Sequence, residues 1–119
     1  MQMLTSYEIA KLAVKALDDK KARDIQILKT EKVTVLADYF VIYTANSDTH
    51  GKTLADETEK LLDQAGESVL RREGYRTGGW TLLDFGCVIV HIFSQDMREF
   101  YSLDRLWSDA EKLDYKDLL

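Results

Sequence analysis

The stretch Trp80–Trp107, WTLLDFGCVIVHIFSQDMREFYSLDRLW, decides how the chain is read. It holds both tryptophans, the only cysteine and one of the two histidines. Trp80 to Asp84 and Cys87 to Phe93 are apolar and β-branched, and they flank Phe85-Gly86, so they read as a hairpin. A two-residue loop at Phe85-Gly86 pairs Asp84 with Cys87, Leu82 with Ile89 and Trp80 with His91. The period of two then sorts the faces. Thr81, Leu83, Val88, Val90 and Ile92 make an apolar face that belongs under helices. Trp80, Leu82, Asp84, Cys87, Ile89 and His91 make the other, amphipathic face, with Trp80 beside His91. Phe-Gly fits a primed turn poorly, and a slip of one residue would exchange the faces.

Downstream of the hairpin, Asp96 and Glu99 have capping-box spacing and start a short helix through Phe100. Ser102 caps a further helix with Leu103, Leu106, Trp107 and Ala110 on one side. Residues 110–119, alternately charged, read as a loosely held tail. Upstream, Thr5 and Glu8 form a capping box before Ile9, Leu12, Ala13, Ala16 and Leu17, which predicts a helix over 6–18. Asp24 to Leu28 alternates and reads as a half-buried strand. Glu31 to Leu36 fits no single element. Tyr39 to Thr44 is apolar on both parities, the pattern of a central strand. Asn46, Ser47 and Asp48 can each cap the next helix, which carries Leu54, Thr58, Leu61, Leu62 and Ala65 and stops at Gly66. Ser68 to Arg72 is weakly strand-like, and Gly74 to Gly79 is a loop. This order predicts one α/β domain over 1–119: a mixed sheet with its helices packed mainly on one face.

Composition narrows the function. Hydrophobic content of 45% with 31% charged residues is that of a globular chain with a substantial core. A net charge of -5 disfavours affinity built on phosphate neutralisation and favours a basic protein partner. The strip Lys15, Lys20, Lys21 and Arg23 could touch RNA, but a solvated helix end is the favoured explanation, because cations are stabilised there anyway. One cysteine rules out an internal disulfide and indicates a reducing compartment. No apolar run approaches the roughly 20 residues of a membrane span. The amphipathic start carries acids and fits neither a signal nor a transit peptide, so a cytoplasmic location is expected.

Several catalytic patterns fail on their own terms. Asp84-Phe85-Gly86 spells the kinase metal-binding tripeptide, but the other kinase motifs are missing and a turn explains it. Ser47, His50, His91 and Asp84 contain the types of a hydrolytic triad, yet no nucleophile elbow surrounds Ser47. His50 and His91 lack partners at metal-ligand spacing, so neither a metal nor a cofactor is expected. A strand, a serine and a helix around Tyr43-Thr44-Ala45-Asn46-Ser47-Asp48 have the layout of nucleotidyltransferases. Their chemistry needs converging carboxylates. Here Asp48, Asp56 and Glu57 lie on a helix and Asp84 on a later strand. The alternative function, a residual nucleotide-using enzyme of that kind, rests on this layout alone. What remains is Trp80, Tyr101, Trp107 and nearby arginines, the residue types that dominate protein interfaces.

These residues fall into an ordered series. It comprises Ala37-Asp38-Tyr39-Phe40-Val41-Ile42, Ser47-x-x-His50, Glu73-Gly74 and Gly79-Trp80-x-x-Leu83-Asp84-x-Gly86. Val90-His91-Ile92-Phe93, Arg98-x-x-Tyr101 and Leu103-x-x-Leu106-Trp107 complete it. From about Thr5 to Ala110 the chain resembles the Iojap family of ribosomal silencing factors, RsfS. The resemblance implies a nucleotidyltransferase-like fold without catalytic carboxylates, and no enzymatic activity. It implies binding to large-subunit ribosomal protein fourteen, a steric block to subunit joining and lower translation when nutrients are short. A homodimer in isolation is also implied. Carried onto this chain, the contact surface is Trp80, Leu82, Asp84, Phe85, Ile89 and His91, with Arg98 and Tyr101 as further contacts or supports. Trp80 is its anchor, Asp84 faces a basic group and His91 orients or flanks the tryptophan. The chain departs from the family pattern at Ala45, usually Gly, at Cys87, often Asp, and at Asp104, often Glu. Cys87 removes a charge beside Asp84.

Overall fold

The first element starts where Thr5 and Glu8 predict. The computed structural model describes residues 4–30, 32, 37–74, 80–101 and 109–119. In it Thr5 Oγ1 accepts the Glu8 N–H at 3.1 Å, and Glu8 Oε1 accepts the Thr5 N–H at 3.0 Å. That pair satisfies donors a helix start leaves open. Helix α1 (Ser6–Asp19) follows and buries Ile9, Ala10, Ala13, Val14, Ala16 and Leu17. After strand β1 (Arg23–Lys29) comes β2 (Tyr39–Thr44), buried at every position as its two-sided apolar pattern requires. Ser47 Oγ accepts the His50 N–H at 3.0 Å and starts α2 (Asp48–Gln64). Strands β3 (Arg71–Glu73), β4 (Trp80–Asp84) and β5 (Val88–Phe93), helix α3 (Gln95–Tyr101), strand β6 (Glu111–Leu113) and a short 3-10 helix (Tyr115–Leu118) complete the described elements.

The strands form one six-stranded sheet in the order β3-β4-β5-β2-β1-β6. The central pair β2 and β5 is parallel and the other pairings are antiparallel. It is the mixed α/β architecture expected. Helices α1 and α2 cover one face, where Val41, Tyr43, Leu83, Val88, Val90 and Ile92 meet Leu17, Leu54 and Leu62. The opposite face has a smaller core of Leu28, Phe40, Ile42 and Phe93 with Ala37 and Ala110. Met97 of α3, Ile89 and Trp80 pack against it. This second face is called the open face below.

Two expectations are corrected. The C-terminal tail is not loose. β6 pairs with β1, and Leu118, 1% exposed, enters the core beneath the helices. The charges of the tail point outward, while Leu113 and Leu118 point in. Helix α3 is capped by Ser94 rather than by an Asp96–Glu99 box. Ser94 Oγ accepts the Met97 N–H at 3.3 Å, and its carbonyl accepts the Arg98 N–H at 2.9 Å. β5 ends at Phe93, so Ser94 offers the first free oxygens. Glu99 instead accepts from the Gln95 amide at 2.9 Å. The helix predicted after Ser102 lies outside the described residues.

Candidate partner-binding face

The hairpin is paired differently from the two-residue loop at Phe85-Gly86. Asp84 faces Ile89, Leu82 faces His91 and Trp80 faces Phe93. The turn sits one residue further on, with Gly86 and Cys87 as its central residues and the Phe85 N–H donating to the Val88 carbonyl at 2.9 Å. Gly86 has φ +88. A primed turn needs a positive φ at its first central position, so glycine belongs there and Phe85 does not. Asp84 Oδ1 tightens the turn by accepting the Gly86 N–H at 2.8 Å. The pairing moves by two residues, an even step, so the faces survive the change.

Thr81, Leu83, Val88, Val90 and Ile92 are therefore buried. Trp80, Leu82 and Ile89 are half-buried on the open face. Two members leave that face. Phe85, 6% exposed, belongs to the helix-side core, and Cys87 packs against the same core from the turn. Phe85 continues the alternation of Thr81 and Leu83 into that core, and the shifted turn takes Cys87 out of the strand position that had placed it beside Asp84. Burial pushes the Cys87 thiol up, so it is no activated nucleophile.

Trp80 rests on aromatic support. Its ring lies 5.0 Å from Phe93, the residue directly across the ladder. Its indole N–H donates to His91 Nδ1 at 3.2 Å, a diagonal contact. His91 is 4% exposed, stacks parallel to Phe93 and meets Phe40 edge-on at 5.1 Å. Burial lowers its pKa to about 4, so the ring is neutral at pH 7. Gly74, just past β3, makes room for this strand. A Cβ there would meet the Trp80 carbonyl oxygen at 1.9 Å. A cleft of about 240 Å³ runs between Glu73, Gly74, Trp80 and Leu82.

Charged groups rim this ridge. Asp84 Oδ2 lies 3.8 Å from Arg71, which also meets Glu73 at 3.4 Å. The alternation of β4 and β5 exposed the ridge to sequence reading, and the same rule extends it to Phe93. Arg71 was missed because β3 has no apolar pattern. Arg98 lies elsewhere: its guanidinium donates to the Asp24 carbonyl at 2.9 Å and to Thr44 Oγ1 at 3.0 Å, tying α3 to β1 and β2. Tyr101 ends α3, and its side chain lies outside the description.

The triad candidates do not assemble. His50 Nδ1 accepts the Asn46 N–H at 2.9 Å, so its Nε2 carries the proton and donates to the Lys20 carbonyl at 2.7 Å. Ser47 caps α2, His91 holds Trp80, and Asp84 holds the turn. Among the described residues, no three His, Cys, Asp or Glu side chains converge on a metal position. Among the same residues, no helix is long and apolar enough to cross a membrane. A larger cleft, about 680 Å³, lies along α1 and Leu118–Leu119, away from the hairpin.

A profile for a family described as ribosomal silencing factor during starvation matches residues 3–119. The chain belongs to the ribosomal silencing factor family. A ribosomal silencing factor of Bacillus subtilis is 42% identical over 111 residues, 93% of this chain and 94% of its own length. One from Halalkalibacterium halodurans is 35% identical over 116 residues, 98% of this chain and 99% of its own. The crystal structure of a Chromobacterium violaceum protein superposes with a TM-score of 0.86 at 36% identity, covering 88% of each chain. The family is one of ribosome-associated regulators of translation.

Proposed function

We propose that this chain silences translation by binding large-subunit ribosomal protein fourteen and blocking subunit joining when nutrients are short. It acts in the cytoplasm, as a binding protein without catalysis, and pairs as a homodimer when away from the ribosome. Its layout is read as a nucleotidyltransferase-like fold that has lost its carboxylates.

The observation that carries this reading is the open-face ridge of Trp80, Leu82 and Ile89. These side chains are half-buried, backed by His91 and Phe93, and rimmed by Asp84, Arg71 and Glu73. An aromatic anchor in an apolar centre with a polar rim is the anatomy of a protein interface. Asp84 already faces Arg71, so toward a basic partner it steers approach rather than anchors. Arg98 ties α3 to β1 and β2, Tyr101, the last residue of that helix, is a further partner contact, and the basic strip from Lys15 to Arg23 supplies at most a minor rRNA contact.

Trp80→Glu tests the assignment. The folded variant should no longer co-sediment with large subunits, while its circular dichroism stays that of the parent. Normal co-sedimentation of the folded variant would refute the site.

A further inference from the structure

We infer that His91 is a positioning residue for Trp80, its Nδ1 holding the indole N–H so that the ring is fixed on the open face and offers the partner carbon surface. The inference deepens the proposed function and rests on Trp80 being the anchor. The indole N–H donates to Nδ1 at 3.2 Å, so Nδ1 bears no proton and the neutral ring carries its proton on Nε2. Nε2 is buried, and among the described residues it has no hydrogen-bond partner. A buried donor without an acceptor is destabilising.

A phenylalanine at this position would fill the same stack between Phe40 and Phe93 without that cost. Packing alone therefore does not call for histidine here. What histidine adds is the acceptor at Nδ1. Phe93, directly across the ladder, restrains the tilt of the indole, and the diagonal bond to His91 selects which edge turns inward. With its only polar atom satisfied inside the protein, the indole needs no acceptor from the partner. It also has less freedom to lose on binding, an advantage of about two- to tenfold in affinity.

Nitrogen-15 NMR of the unmodified protein tests the bond first. The two indole signals are assigned by the one that vanishes in Trp80→Phe. His91 should show a bare, hydrogen-bonded Nδ1 and a protonated Nε2; the opposite tautomer overturns the inference. His91→Leu removes the acceptor, and His91→Asn places an amide oxygen near the position of Nδ1. In His91→Leu the Trp80 indole proton should lose its hydrogen-bonded shift and exchange faster, with large-subunit affinity about two- to tenfold weaker. His91→Asn should restore both readouts. Unchanged indole signals in His91→Leu, or unchanged affinity with a freed indole, overturn the inference. Normal binding by Trp80→Glu overturns the site and this inference together. Normal binding by His91→Leu, with Trp80→Glu inactive, overturns this inference alone.

Discussion

Buried between Phe40 and Phe93, His91 links stability to pH. Its folded pKa is about 4 against an ordinary 6.5. As pH falls through about 6.5 the unfolded chain takes up a proton that the folded chain refuses until about 4. The stability linked to His91 is therefore present above about pH 6.5 and is lost steadily toward pH 4. Urea denaturation should show this residue removing about 2 kcal/mol between pH 7 and pH 5. His91→Asn, which does not titrate, should lack that loss; an equal pH slope in both proteins would contradict the assignment. The sequence placed His91 on the right face beside Trp80. It did not reveal how deeply the ring is buried, because Phe40 and Phe93 come from two strands whose pairing is not local.

The secondary structure elements separate what is local from what is not. The start of α1 is written in Thr5 and Glu8, and the start of α2 in Ser47, because a cap is a contact over three residues. Face assignment in β4 and β5 is likewise local, since it needs only the alternation. Turn position is less legible. The choice between Phe85-Gly86 and Gly86-Cys87 depends on which residue bears the positive φ, and glycine takes it. The tail misleads for another reason: its charges dominate the pattern, while β6 pairing and the burial of Leu118 anchor it. Leu118→Ala should lower unfolding stability by roughly 2–4 kcal/mol in urea titration, as for other fully buried leucines. A change near zero would return the tail to a loose segment.

On the scale of the whole molecule, the sheet divides its apolar surface unequally. One face is sealed by α1 and α2. The other is closed over Leu28, Ile42 and Phe93 but leaves Trp80, Leu82 and Ile89 half-buried at the hairpin end. The net charge of -5 sets this ridge in an acidic molecule. Binding to large subunits should accordingly weaken by less than about tenfold between 50 and 200 mM salt, whereas a protein held by several phosphate contacts loses about a thousandfold or more. A steep salt slope in co-sedimentation would point to rRNA as the main target instead.

By itself the sequence determined the first two helices and the central strands, the cap of the first helix, the two faces of the hairpin and the ordered motifs of the family. Each depends on side-chain period, on contacts a few residues apart, or on residue order. Tertiary structure alone decided the strand order, the two-residue shift of the hairpin, the docking of Leu118 and the burial of His91 beneath Trp80. Those depend on contacts between distant segments. There the competition among turn strain, core volume and unpaired polar groups is settled by the whole fold.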